Sequence, residues 1–193
     1  MKTGIVFHEL YLWHHTGNHA DYVPYGFPVE PFIHSENSDT KRRVKNLMEV
    51  SGLYEKLHKI NPRKATKEEI LYFHTEDHFN HIKSLNTSIS IDAGISTPSG
   101  IGSFDIALLS VGGVIEALDC VIDRKVENAY ALVRPPGHHA MPDKAMGFCI
   151  FGNAAIAGKH AINKRNLKKI AFVDWDVHHG NGTQAAFYDD PSA

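Results

Sequence analysis

Asp174, Asp176 and His178 stand at alternate positions in the segment Ala171–Gln184, which then runs into His179-Gly180-Asn181-Gly182. A strand turns its side chains over at every residue, so in an extended segment these three share one face. Val173, Trp175 and Val177 share the other face, which is expected to be buried. Two carboxylates and an imidazole would then emerge together where a strand meets a Gly-rich turn. Asp176 and His178 form a mixed oxygen and nitrogen donor set that suits Zn²⁺, with Fe²⁺ or Mn²⁺ as alternatives. A catalytic zinc takes three protein ligands and keeps a position for water, and the third ligand is not identifiable in this sequence.

A second group lies upstream, in Arg134-Pro-Pro-Gly-His138-His139. Two prolines and a glycine stiffen and turn the backbone, so adjacent imidazoles can be held in fixed directions. They could be exposed histidines of a structural turn. As a functional pair they suit proton transfer, since a neutral imidazole can take a proton from an attacking water. Asp174 is then expected to accept the Nδ1–H of one ring and fix its tautomer, and Asn181 to do the same for the other. A ring that faces a carboxylate is favoured as imidazolium, and one that faces a neutral amide less so. The ring paired with Asn181 is therefore the better resting general base.

Several elements must position these groups. Gly4–Phe7 reads as a short buried strand, followed by an irregular stretch from His8 to Asn37 that is long enough to be functional or mobile. Ser38 or Asp39 could cap a helix over Lys41–Val50, with Val44, Leu47 and Met48 on its apolar face and Gly52 beyond its end. Thr66-Lys-Glu-Glu69 is a capping box opening a helix through Phe73, and another helix is expected over Glu76–Ser84. Residues 86–103 read as loop, and Phe104–Ile122 has helical apolar spacing in which Gly112-Gly113 permits close packing. Ala129–Val133 reads as a second buried strand, ended by Pro135-Pro136. Asn153–Asn163 should be a helix, Lys169–Asp174 a third strand, and Thr183–Tyr188 the start of another helix. Strands separated by helices predict an α/β fold, a parallel sheet flanked by helices on both faces. Ligands bind such sheets beyond the carboxyl ends of the strands, where both motifs fall. No second domain or repeat is visible.

Composition narrows the function classes. A chain of 193 residues, 42% hydrophobic, can bury one core, and a net charge of −2 offers no footprint for nucleic acid or an anionic membrane. No apolar run approaches the roughly 18–20 residues needed to cross a bilayer, and the first thirty residues hold no signal-peptide pattern. Cys120 and Cys149 lack metal-finger spacing and suggest no disulfide framework, so a cytoplasmic location is expected. Of the fourteen histidines, His58, His81 and His160 read as ordinary helix-surface residues. Cys149 is expected to be a small buried residue rather than a redox switch.

Taken together, Arg134-Pro-Pro-Gly-His-His139, Gly147-Phe-Cys149 with Asn153, and Val173–Gln184 resemble the arginase/deacetylase superfamily. Within it they resemble the class II histone deacetylase and acetylpolyamine amidohydrolase branch. Phe7-His-Glu with Trp13-His14, and Glu36-Asn37 with Lys41-Arg42-Arg43, are similar to that branch's amino-terminal signatures, so the likeness runs through the whole chain. The resemblance implies Zn²⁺-dependent hydrolysis of an acetamide. Asp176 and His178 would be zinc ligands, and His138 and His139 the catalytic pair, oriented by Asp174 and Asn181. Gly147 and Phe148 would line a narrow channel for the alkyl stem of the substrate, core packing being the competing role for Phe148. Ser96 falls near where some relatives place an acidic substrate-binding residue. Backbone carbonyls around Asp174, Asp176 and His178 would hold a structural K⁺. Arg42 would sit near an internal channel, or simply on a helix surface.

The resemblance also sets expectations about extent. Relatives run well past 300 residues in this domain, and their third metal ligand, an Asp, and an oxyanion-stabilising Tyr lie further along than Ala193. Residues 1–193 are expected to be a single deacetylase-like domain lacking its C-terminal portion, with a sheet edge left unpaired and weak activity in isolation. The substrate would be the acetylated lysine side chain of a protein or a small acetylated polyamine; the His8–Asn37 loop, with Glu30 and Glu36 as available acids, could narrow the channel mouth, but its sequence does not decide between them. No direct nucleic-acid or membrane contact is expected, and a homo-oligomer is compatible with the reading. The alternative is an inactive deacetylase-like fragment serving as a binding module. Arginase chemistry ranks lower, because Arg134-Pro-Pro-Gly-His-His belongs to the deacetylase side.

Overall fold

The computed structural model describes residues 2–18, 30, 32–89 and 91–193. In chain order the elements are β1 (Thr3–Val6), α1 (Asp39–Val50), α2 (Leu53–Lys56), β2 (His58–Ile60), α3 (Lys67–Ile70), α4 (Glu76–Ser84), β3 (Ile91–Asp92), β4 (Gly94–Ile95) and β5 (Pro98–Ser99). There follow α5 (Ser103–Ile122), β6 (Asn128–Ala131), β7 (Ala145–Met146), α6 (Asn153–Asn163) and α7 (Asn181–Phe187). β1 lies between β2 and β6 in a three-stranded, all-parallel sheet, Gly4 facing His58 on one side and Ala129 on the other. Each parallel connection is made through helices, as parallel pairing demands.

α5 is the central pillar. Ile106, Leu109 and Ala117 face the sheet side with Val6, Tyr11 and Ile60. Ala107, Leu108, Val111 and Ile115 pack on the opposite side with Phe151, Ile156 and Ala157. At Gly112 the chain passes so close that an added Cβ would stand 1.9 Å from Arg63 O. The capping box at Thr66 and Glu69 forms with both of its bonds, and Thr75 caps α4 by accepting from His78 N. The fold is thus an α/β parallel sheet with flanking helices, as expected. Among the described residues no helix is long and apolar enough to cross a membrane.

Five local expectations are corrected. No strand forms over 169–174: among the described residues the segment has no neighbour to complete a ladder, and Val173, Trp175 and Val177 are 79%, 89% and 91% exposed. Alternation alone cannot make a strand when backbone partners are lacking. α1 buries none of its residues, and Val44 and Leu47 lie outward. β6 is an edge strand with alternating exposure rather than a buried one. The 86–103 stretch contains β3, β4 and β5, two residues each. His58 sits in β2 and His160 is buried against Asp119, whereas His81 does lie on a helix surface. Of the His8–Asn37 stretch, residues 19–29 and 31 fall outside the described set, and Glu9–Trp13 forms a short 3-10 helix.

Candidate active site

The loop from Arg134 to Pro142 carries the two histidines and is tied down along its length. Pro135 O accepts from Ser110 Oγ at 3.1 Å and from Asn153 Nδ2 at 3.0 Å. His138 O accepts from Gly182 N at 2.9 Å, and Pro142 O from Thr75 N at 2.8 Å. The Arg134–Pro135 peptide is cis. Arg134 itself is fully buried, its Nε 2.8 Å from Glu36 Oε1 and 2.9 Å from Oε2. Its other nitrogens donate to Tyr11 O at 3.0 Å and Glu36 O at 3.1 Å. A buried charge is tolerated only when paired and fully hydrogen-bonded, and this network supplies both conditions. Burial raises the Glu36 pKa while the guanidinium beside it pulls the other way. Glu36 is therefore a structural counter-ion rather than an available acid of the His8–Asn37 loop. Glu30 is exposed.

The loop presents the imidazoles side by side, with ring centroids 4.1 Å apart. His138 Nδ1 lies 3.0 Å from Asp174 Oδ2, and His139 Nδ1 lies 2.7 Å from Asn181 Oδ1. Both partners face the rings with acceptor oxygens, so each ring carries its hydrogen on Nδ1 and turns Nε2 away from its partner. The pairing is thus assigned: the carboxylate belongs to His138 and the amide to His139. The hydrogen bond from His138, against a smaller effect of burial, holds the Asp174 pKa low. Gly180 and Gly182 make this approach feasible. A Cβ on Gly180 would stand 2.5 Å from Asp174 Oδ2, and one on Gly182 would stand 2.2 Å from Ala140 O.

His178 completes the group, its ring centroid 5.8 Å from that of His139. Asp176 Oδ1 accepts from His178 N at 2.8 Å and lies 3.0 Å from His178 Nδ1. The backbone bond from His178 is the largest cause of a lowered Asp176 pKa. A carboxylate and an imidazole, adjacent and accessible, fit a divalent cation as donors. They are two side chains only, and among the described residues no group of three or more His, Cys, Asp or Glu side chains is close enough to hold a metal. A cleft of about 450 Å³ borders this group, lined in part by His138, Asp174, Trp175 and Asp176.

Gly147, Phe148 and Ser96 meet on the other side of His139. A Cβ on Gly147 would touch the His139 ring at 2.5 Å. Phe148 N donates to Ser96 O at 3.0 Å, and Gly147 N to Ile95 O at 2.9 Å. Gly147, Phe148 and Ser96 all take positive φ, which glycine adopts freely but which in Phe148 and Ser96 is backbone strain that the surrounding structure must impose. Phe148 is half-buried and meets the buried His34 ring edge-on at a centroid distance of 4.7 Å. Cys149 is fully buried beneath the same loop, and burial pushes its thiol up to about 12. Arg42 is an exposed residue that bonds Ser38 Oγ on its own helix. His34, Met141 and Met146 escaped the sequence reading, since their contacts to Phe148 and Asn181 join residues distant in sequence.

The paired histidines thus stand on the loop that follows β6, each anchored by an acceptor oxygen, beside the Asp176–His178 pair. Comparison with known proteins places the chain in a family. The histone deacetylase domain profile matches residues 34–193. A histone deacetylase-like amidohydrolase of Pseudomonas aeruginosa is 44% identical over 190 residues, covering 97% of this chain and 50% of that protein. A protein of Archaeoglobus fulgidus named "Probable deacetylase" is 39% identical, covering 98% of this chain and 49% of its own length. The crystal structure of the HDA15 HD domain superposes with a TM-score of 0.88 at 33% identity, over 100% of this chain and 52% of that one. The chain belongs to the histone deacetylase family. It spans about half the length of these relatives.

Proposed function

We propose that the whole protein is a zinc-dependent deacetylase that hydrolyses the acetamide of an acetylated lysine side chain or of a small acetylated polyamine. The observation that carries this reading is the doubly anchored histidine pair, His138 on Asp174 and His139 on Asn181, beside Asp176 and His178. Asp176 and His178 would hold the cation, with a third ligand from elsewhere. When bound, it would polarise the acetyl carbonyl and make the attacking water a better acid. The rest is work for this chain's own side chains. His139 keeps a lone pair on Nε2 because Asn181 holds the hydrogen at Nδ1, and it takes the proton of the attacking water. His138, whose positive charge Asp174 would stabilise, delivers a proton to the departing amine. Gly147 and Phe148 line the path of the alkyl stem, and Ser96 borders it. The free thiols Cys120 and Cys149 accord with a reducing, cytoplasmic setting.

Zinc content and turnover of an acetyl-lysine fluorogenic substrate test the assignment. His139→Ala should lower turnover by about 10²–10⁴-fold while bound zinc stays near one equivalent. His178→Ala should strip the metal. Loss of zinc from His139→Ala would make that histidine a ligand and overturn its role as general base. A wild-type protein that binds zinc but hydrolyses neither substrate would instead support the binding-module reading.

A further inference from the structure

His139 relies on an amide whose two ends have opposite hydrogen-bonding character. With Asn181 Oδ1 toward the ring at 2.7 Å, the ring must donate from Nδ1, and Nε2 keeps its lone pair. Turned through half a revolution, the amide would present Nδ2–H to the ring. The ring would then accept at Nδ1, carry its hydrogen on Nε2, and have nothing with which to take a proton from water. No such ambiguity exists at His138, because both oxygens of Asp174 are acceptors. Something must therefore hold the Asn181 amide the right way round.

The groups on its Nδ2 side can do so. Asn181 Nδ2 lies 3.1 Å from Met141 Sδ, 3.3 Å from His139 O and 3.8 Å from Met146 Sδ. All three carry lone pairs and none can donate. In the turned amide, Oδ1 would face two sulfurs and a carbonyl oxygen, with no hydrogen between them. Met141 is held in place for this, since its backbone N–H donates to Lys144 O at 3.0 Å in a tight turn. We propose that Met141, assisted by Met146, is a positioning residue for His139. Its thioether receives an N–H of Asn181, keeps Oδ1 toward the ring, and so holds His139 as the Nδ1–H tautomer. A thioether is a weak acceptor, but repulsion in the turned state adds to its attraction in the correct one. The proposal rests on the reading of His139 as general base, yet the tautomer can be read without turnover.

Met141→Leu nearly conserves volume and removes the sulfur. In the whole, zinc-loaded protein it should lower kcat by about three- to tenfold and leave KM unchanged. In an Asn181→Asp background the same substitution should change kcat by less than about twofold, since a carboxylate has no wrong end. A side chain that served only as packing would cost the same in both backgrounds, and that result would overturn the proposal. The second arm is ¹⁵N NMR of histidine-labelled, metal-free protein. His139 should read as Nδ1–H in the wild type and gain Nε2–H population in Met141→Leu. A wild-type Nε2–H ring, or an unchanged tautomer in the variant, would also overturn it. If the wild type hydrolyses nothing, the deacetylase reading fails, and the tautomer measurement still decides what Met141 does.

Discussion

Replacing His74 by glutamine should remove about one proton from the coupling between folding and pH. The ring is buried, its centroid 5.3 Å from that of Phe151 and 4.9 Å from that of His78. Gly152 N lies 2.9 Å from Nε2 and can only donate, so Nε2 carries a lone pair. The hydrogen must then sit on Nδ1, 3.3 Å from Pro142 O. A second ring proton would oppose two N–H groups at Nε2. Burial, with His78 as a smaller cause, lowers the His74 pKa from 6.5 to about 3. Because the folded value lies below the unfolded one, the unfolded chain binds a proton that the folded chain lacks between those limits. Stability from this ring is complete above pH 6.5, declines as pH falls, and is fully lost near pH 3. At pH 5 the loss is about 2 kcal/mol, from 1.5 pH units at about 1.36 kcal/mol each. Urea unfolding of wild type and His74→Gln between pH 7 and 4 measures it. The variant starts lower at pH 7, because Gly152 N loses its acceptor, but the gap between the two proteins should narrow by about 2 kcal/mol by pH 5. His14 and His78 also have lowered pKa values, chiefly by burial, and are present in both proteins, so the difference isolates one ring. A gap that stays constant down to pH 4 would mean that His74 titrates in the fold as a free imidazole, and the bridge from Pro142 to Gly152 would be refuted.

Three further outcomes are expected. Glu36→Ala strands the buried Arg134 guanidinium and should cost about 3–5 kcal/mol by chemical unfolding, whereas Glu36→Leu combined with Arg134→Met should cost less than the two changes summed. Gly180→Ala pushes a Cβ to 2.5 Å from Asp174 Oδ2, displaces the carboxylate from His138, and should lower kcat about 10²-fold with near-native circular dichroism; an unchanged kcat would remove Asp174 from the positioning role. Cys149, its thiol held near 12 by burial, should resist iodoacetamide at pH 8 until the protein is unfolded, and rapid alkylation of the native state would contradict its placement.

Locally encoded features were legible. α4 and α6 have the expected bounds, Glu76–Ser84 and Asn153–Asn163, because the Thr75 cap of α4 and the apolar spacing of both act within a few residues. The expected pairing of one histidine with Asp174 and the other with Asn181 is present, although the alternation that was to set one face forward forms no strand. The rest of what joins residues far apart was not legible. Nothing in the motifs says that His139 rather than His138 takes Asn181, or that Glu36 is consumed by Arg134, 98 positions away. The expected third strand failed for a related reason. Its apolar and polar alternation is real, but a strand is a property of a pair, and residues 169–174 have no ladder partner among the described residues.

That failure bears on how the site is built. The histidine loop is fixed by bonds to Pro135 O, His138 O and Pro142 O that come from α5, α6, α7 and the start of α4. Between Asp174 and His178 there is no comparable anchorage among the described residues. The segment's tie to the loop is the Asp174–His138 bond, and its next bonds are local, from Asp176 N to Asp174 Oδ1 at 3.1 Å and from His178 N to Asp176 Oδ1. Asp176 and His178 also spend their donor atoms on each other, an arrangement that a cation would have to open. Under the proposed function, the His139–Asn181 pair is prepared in advance, whereas Asp176 and His178 would be set by the cation itself and by their own segment, on which Val173, Trp175 and Val177 are exposed. Zinc affinity should consequently respond more strongly than the His139 tautomer to any change at those three positions, because Asp176 and His178 lie on that segment and the His139–Asn181 bond does not.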